Sequence, residues 1–139
     1  MKWIKNSQFY QLRLLQGEEI LTTLVEFARR VKIKSGVISG LGAGYDFELG
    51  YYNISKKSYR RRQLKGEFEI VSLLGNVAWD GKQPVCHCHI VLSDRQMTTY
   101  GGHLFAGRVG VTCEISIFPG DKKLSRQLEP ETGLKLLSF

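Results

Sequence analysis

The chain has 139 residues, enough for one domain spanning 1–139 with its own core and too few for a second module. Apolar residues make up 42% and charged residues 24%, a balance that excludes wholesale disorder. The formal net charge of +7 points instead to anionic partners.

No apolar run reaches the roughly 18 residues of a membrane span. The opening Met1-Lys2-Trp3-Ile4-Lys5-Asn6 carries no signal-peptide core. Three cysteines, an odd number, make a poor disulfide framework and suit a reducing compartment. The expected location is the cytoplasm, with no membrane partner.

In chain order, Phe9 to Leu15 alternates loosely and predicts a strand. Gly17-Glu18-Glu19 then opens a helix, with acidic residues expected in its first turn, where the helix dipole favours them. Ile20, Leu24, Phe27, Ala28 and Val31 fall at helical spacing and form an apolar stripe to lay on a sheet. Arg29, Arg30 and Lys32 close that helix. From Gly36 the period is mostly two. Strands are expected at Gly36–Gly40, Asp46–Tyr52, Ser58–Leu64, Glu67–Leu74, Pro84–Leu92 and Arg108–Phe118. One helix followed by many strands predicts an α+β fold with a largely antiparallel sheet.

Gly40-Leu41-Gly42-Ala43-Gly44 lacks the spacing and the following helix of a dinucleotide loop. Bends and close backbone packing explain these glycines better. Much of the positive charge sits in one run, with Lys56, Lys57, Arg60, Arg61, Arg62 and Lys65 as candidate nucleic-acid contacts. A solvated hairpin kept soluble by charge is the alternative. In a strand Arg60 and Arg62 face one way and Arg61 the other, so no single face carries all three.

Val85-Cys86-His87-Cys88-His89-Ile90-Val91 holds two of the three histidines and two of the three cysteines. Residues two apart on a strand share a face at about 7 Å. His87 and His89 therefore share one face and Cys86 and Cys88 the other, which excludes a Cys–His nucleophile pair within the stretch. A turn at Ser93-Asp94-Arg95-Gln96 would set His87 opposite about Gly102. A bulge at Gly101-Gly102 would then re-aim His103 towards the pair. Three imidazoles with an open fourth position are the ligand set of a zinc site that retains water. Such a site could activate that water, or hold an anion or a partner's carboxylate. The alternative is three polar side chains satisfied by backbone or water. Cys86, Cys88 and Cys113 are read as small core residues, with a Cys-x-Cys metal pair as the other option.

Several short pieces, in order and spacing, carry a family resemblance over nearly the whole chain. They are Leu12-Arg13-Leu14 with Gly17-Glu18-Glu19-Ile20, then Gly40-Leu41-Gly42-Ala43, then Glu69-Ile70-Val71-Ser72-Leu73-Leu74-Gly75-Asn76. His87-Cys88-His89, Gly101-Gly102-His103-Leu104 and Glu131-Thr132-Gly133-Leu134-Lys135-Leu136-Leu137 follow. The chain resembles the PPC (plants and prokaryotes conserved) domain family, in its prokaryotic single-domain form.

That resemblance implies an α+β fold on a mixed, mainly antiparallel sheet, packed with one main amphipathic helix and assembled as a homotrimer. Plant relatives carry the domain after AT-hook segments, in nuclear proteins that bind AT-rich DNA. In those relatives a Gly-Arg-Phe-Glu-Ile stretch is linked to partner interaction. The corresponding residues here are Gly66, Glu67, Phe68, Glu69 and Ile70, with Glu67 where the plant pattern has Arg. No Arg-Gly-Arg-Pro core of an AT-hook occurs.

The expected function is a homotrimeric module that holds zinc or a similar transition metal and has a DNA-binding or regulatory role. One alternative is a small metal-dependent enzyme on the three histidines, with Glu69 or Glu114 as candidate base and no catalytic residue assigned. The other is a protein-interaction scaffold.

Overall fold

The computed structural model describes residues 1–139 as eight strands and one helix. The strands are β1 (Lys2–Lys5), β2 (Tyr10–Leu15), β3 (Ser35–Asn53), β4 (Ser58–Asp80), β5 (Gln83–Ser93), β6 (Thr99–Gly120), β7 (Ser125–Glu129) and β8 (Leu134–Ser138). The helix α1 covers Ile20–Arg30. The sheet runs β1-β2-β6-β3-β4-β7-β8, with β5 paired to both β4 and β6. Every pairing is antiparallel except a single parallel bridge between β4 and β7, Trp79 to Ser125. The fold is α+β with a mixed, mainly antiparallel sheet and one packed helix, as expected. No helix is long and apolar enough to cross a membrane.

Four expected strands are really two. Gly36–Gly40 and Asp46–Tyr52 are halves of β3, which stays paired through register shifts at Gly40/Gly42 and Tyr45/Phe47. Ser58–Leu64 and Glu67–Leu74 merge likewise into β4. Bulges bend a strand without ending it. Gly42 shows why the glycine run is needed. A Cβ there would lie 2.2 Å from the Thr112 carbonyl oxygen, so only a bare backbone fits against β6. With these bends β3, β4, β5 and β6 close into a ring in which each has a partner on both sides. Closure removes the edges that long strands would otherwise expose.

The helix begins one step later than expected. Glu18 and Glu19 precede its first turn, which contains no acidic residue. Glu19 is the N-cap, accepting from the Thr22 N–H at 2.6 Å and from the Gly107 N–H at 3.2 Å. Ile20, Leu24, Phe27 and Ala28 are buried against the sheet, while Val31 is only half-buried at the C-cap. They join a core that includes Leu12, Leu14, Phe47, Leu73, Ile90, Leu104 and Ile115. Three strands, β1, β7 and β8, were not among those expected. Of these, β7 and β8 form a C-terminal hairpin. It docks beside the end of β4, where the Trp79 N–H donates to the Leu124 carbonyl at 2.9 Å.

Candidate metal centre

Along β5 burial alternates as the strand period requires. Pro84, Cys86, Cys88, Ile90 and Leu92 are buried, and Val85, His87, His89 and Val91 face the other way. All three cysteines are free and buried. Burial pushes the Cys86 and Cys113 thiols up to about 12, and pushes Cys88 up as well. Thiols held protonated in this way are poor metal ligands.

His103 reaches the histidine face differently from the expected route. The turn is wider than Ser93–Gln96. Asp94 Oδ1 accepts from both the Gln96 and Thr98 N–H groups at 2.9 Å, and Met97 takes φ 61°. The wider loop moves the register, so Ile90 lies opposite Gly102 and His89 directly opposite His103. His87 is therefore not opposite Gly102, and no bulge interrupts the pairing at Gly101-Gly102. Residues directly opposite in an antiparallel pair share a face, so the ladder itself gathers the trio.

Ring centroids lie 5.2 Å apart for His87–His89, 4.9 Å for His87–His103 and 5.4 Å for His89–His103. One nitrogen from each falls within 4.8 Å of the others. A tetrahedral ion about 2.0–2.1 Å from each would draw them to roughly 3.4 Å, a closure within reach of small side-chain rotations. His103 Nδ1 is buried and has no hydrogen-bond partner. Buried polar nitrogens are seldom left so, and a metal ion would satisfy this one. Desolvation lowers the pKa of His103 to about 4, helped by His87, His89, Arg61 and Arg126. Desolvation also lowers His87, followed by Arg126 and His89. Neutral imidazole is the form that binds metal, so the residues present fit a zinc-type ion.

The surroundings come from elements distant in sequence. Tyr59 of β4 and Phe105 of β6 lie 5.0 and 4.7 Å, ring to ring, from His103. Gly50 leaves room for both rings, since a Cβ there would meet Phe105 at 2.4 Å and Tyr59 at 2.9 Å. Arg61 stacks on Phe105 at 3.7 Å and lies 3.4 Å from Glu48. From the C-terminal hairpin, Arg126 donates to Asn76 Oδ1 at 2.7 Å, and Asn76 is the cross-strand partner of His87. A cleft of about 330 Å³ separates the hairpin from the histidine face, lined by His87, His103, Tyr59, Phe105, Arg126 and Leu136 among others. Tyr59, Phe105 and Arg126 were not anticipated. Tyr59 and Phe105 sit at face-matching positions that alternation could have suggested, whereas Arg126 had no local signal.

Residues 4–119 match the Plants and Prokaryotes Conserved (PCC) domain. The chain belongs to this family. Among solved structures, a "putative dna binding protein" of Bacteroides thetaiotaomicron superposes on it with a TM-score of 0.96 at 26% identity, covering 99% of this chain and 96% of that one. A metal-containing protein of Archaeoglobus fulgidus matches with a TM-score of 0.89 at 33% identity, over 100% of both chains. Among curated proteins, the bifunctional protein GlmU of Synechococcus sp. (strain JA-3-3Ab) is 32% identical over 127 residues, 89% of this chain. The chain spans about a fifth of that relative's length, 19%.

The other candidate positions of this PCC chain lie away from the histidines, with one exception. Lys56, Lys57, Arg60, Arg62 and Lys65 are exposed on and beside the β3–β4 hairpin. Arg61, also exposed, turns to the opposite face of β4 and so joins the histidine surroundings. In the Gly66–Ile70 stretch, Ile70 is a core residue and Phe68 packs on Phe47 and Tyr100, which leaves Glu67 and Glu69 exposed. Glu69 is paired with Ser93 and lines a different cleft, with Asp46 and Arg95. Glu114, on β6, lies opposite Arg13 and Leu41 and lines another cleft, with Gln11 and Ser116. Neither carboxylate lines the histidine cleft, so the candidate bases are not beside the trio. The carboxylate in the cleft lining is Asp80, ion-paired with Lys135.

Proposed function

We propose that this PCC protein is a metal-holding module, with zinc or a similar transition metal on His87, His89 and His103 and an auxiliary or regulatory role in the cytoplasm. The convergence of three imidazoles, one nitrogen of each within 4.8 Å of the others, together with the unpartnered His103 Nδ1, carries this reading. The Archaeoglobus protein, called metal-containing, supports it. Three imidazoles leave a fourth position open, where a bound metal would supply Lewis acidity or hold an anion. One continuous core supports a single domain over residues 1–139. Metal analysis of the purified protein is expected to find close to one zinc per chain. A protein that is metal-free and also ignores added zinc overturns the reading.

The module is proposed to work as a homotrimer. Cross-strand rows run Phe118–Val37–Asn76–His87 and Ser39–Leu74–His89–His103 across one face of the sheet. Val37, Leu74 and Phe118 in these rows are 58%, 57% and 45% exposed. An apolar face of this kind favours burial against further copies. Light scattering at micromolar concentration should report about three chain masses, and a stable monomer would sink the assembly.

DNA is the proposed macromolecular partner, on the strength of the exposed Lys56–Lys65 hairpin and the name of the Bacteroides neighbour. A trimer would carry a formal charge of three times +7, or +21, and so gain avidity.

A further inference from the structure

Arg126 has no carboxylate within ion-pairing distance. Its guanidinium is nonetheless held in place, with one Nη donating to Asn76 Oδ1 at 2.7 Å and the other to the Lys135 carbonyl at 3.0 Å. Its Nε is buried without a partner. A half-buried cation so fixed is costly unless an anion answers it.

The rest of the cleft deepens the imbalance. The one carboxylate in its lining, Asp80, is already taken by Lys135. A divalent ion on the histidines would add further positive charge beside Arg126. Phe105, Leu134 and Leu136 make the remaining wall apolar. A space of about 330 Å³ lies at the small end of ligand clefts, which run from roughly 300 to 1,000 Å³, and suits a small organic molecule.

We propose that this cleft binds a small organic carboxylate, with its charged group on Arg126, its apolar body against Phe105 and Leu136, and an oxygen reaching the open metal position. The proposal rests on the metal reading above. It makes Arg126 a ligand-binding residue and the C-terminal hairpin part of the site. Arginine suits the role because its planar fork matches a carboxylate and it stays charged when partly desolvated.

The test uses zinc-loaded and cobalt-loaded full-length protein at pH 7 in a carboxylate-free buffer. Calorimetry is run with butyrate, acetate and inorganic phosphate, and cobalt absorption is recorded in parallel. Butyrate is expected to bind several-fold tighter than acetate and to shift the cobalt spectrum. Arg126→Gln should weaken butyrate at least tenfold while metal content stays at the wild-type level. If that variant fails to fold, Arg126→Lys, which keeps charge without the fork, should still lose several-fold. Phosphate binding tighter than butyrate overturns the carboxylate assignment. Butyrate affinity unchanged by the Arg126 variants, or a silent cobalt spectrum, overturns the proposal and leaves the metal reading standing. A chain that takes up no metal overturns both.

Discussion

Cys86 and Cys88 point from β5 into the core, while His87 and His89, their immediate neighbours, point to the open side of the sheet. Desolvation acts on both sides with opposite chemical results. It raises the thiols, which removes the thiolate a metal would need, and it lowers His87, which preserves the neutral imidazole a metal prefers. One environment therefore silences one face and readies the other. Ligand strength in the abstract would have favoured the cysteines. Burial decides otherwise.

The sharpest way to break this contrast is to exchange the faces. His87→Ala or His103→Ala should remove most of the bound zinc, read as metal per chain by emission spectroscopy. Cys86→Ser or Cys88→Ser should leave zinc in place. If the cysteine variants strip the metal and the histidine variants keep it, the assignment of faces is wrong. A smaller effect is expected on the buried side. Cys88 is fully buried, so Cys88→Ser brings in a hydroxyl without a ready partner and should cost about 1–3 kcal/mol in denaturant unfolding.

Acid should separate the faces too. His103 titrates near 6.5 unfolded and about 4 folded, so in that window the unfolded chain binds the proton that the native chain refuses. Its stabilising contribution is fully present above 6.5 and is lost as pH falls through 4. Metal-free protein should accordingly show a falling melting temperature between these values, and His103→Gln should flatten the fall. Zinc retention should decline over the same range, because protons compete for the imidazoles. The cysteine variants should follow the wild-type pH profile.

The smallest expected effect concerns the basic hairpin, remote from both faces apart from Arg61. Replacing Arg60, Arg61 and Arg62 with Ser should flatten the salt dependence of DNA binding, by about 0.9 in log–log slope for each phosphate no longer neutralised. Unchanged binding would move the interaction elsewhere on the molecule. Absence of binding at low salt would retire DNA as a partner.

Much was legible in local pattern. Period two along Val85–Val91 assigned the faces of β5, and helical spacing in Ile20–Ala28 assigned the buried stripe, because each periodicity is a property of the backbone alone. The glycines of 40–44 were legible as close approaches. Spacing could not settle register. The Asp94 loop is set by a side chain capping two backbone amides, and those few residues decided that His103 faces His89 directly.

The sequence by itself determined an α+β chain with a His-x-His face opposite a Cys-x-Cys face, since alternation needs no tertiary information. Only the tertiary structure decided what surrounds the trio. Tyr59, Phe105 and Arg126 come from three different strands, and Arg126 arrives on a hairpin held to the sheet by Trp79, Asn76 and Asp80. Contacts between residues dozens of positions apart depend on which strands pair and how they bend. That is settled by the closure of the sheet as a whole, and no local stretch of the chain encodes it.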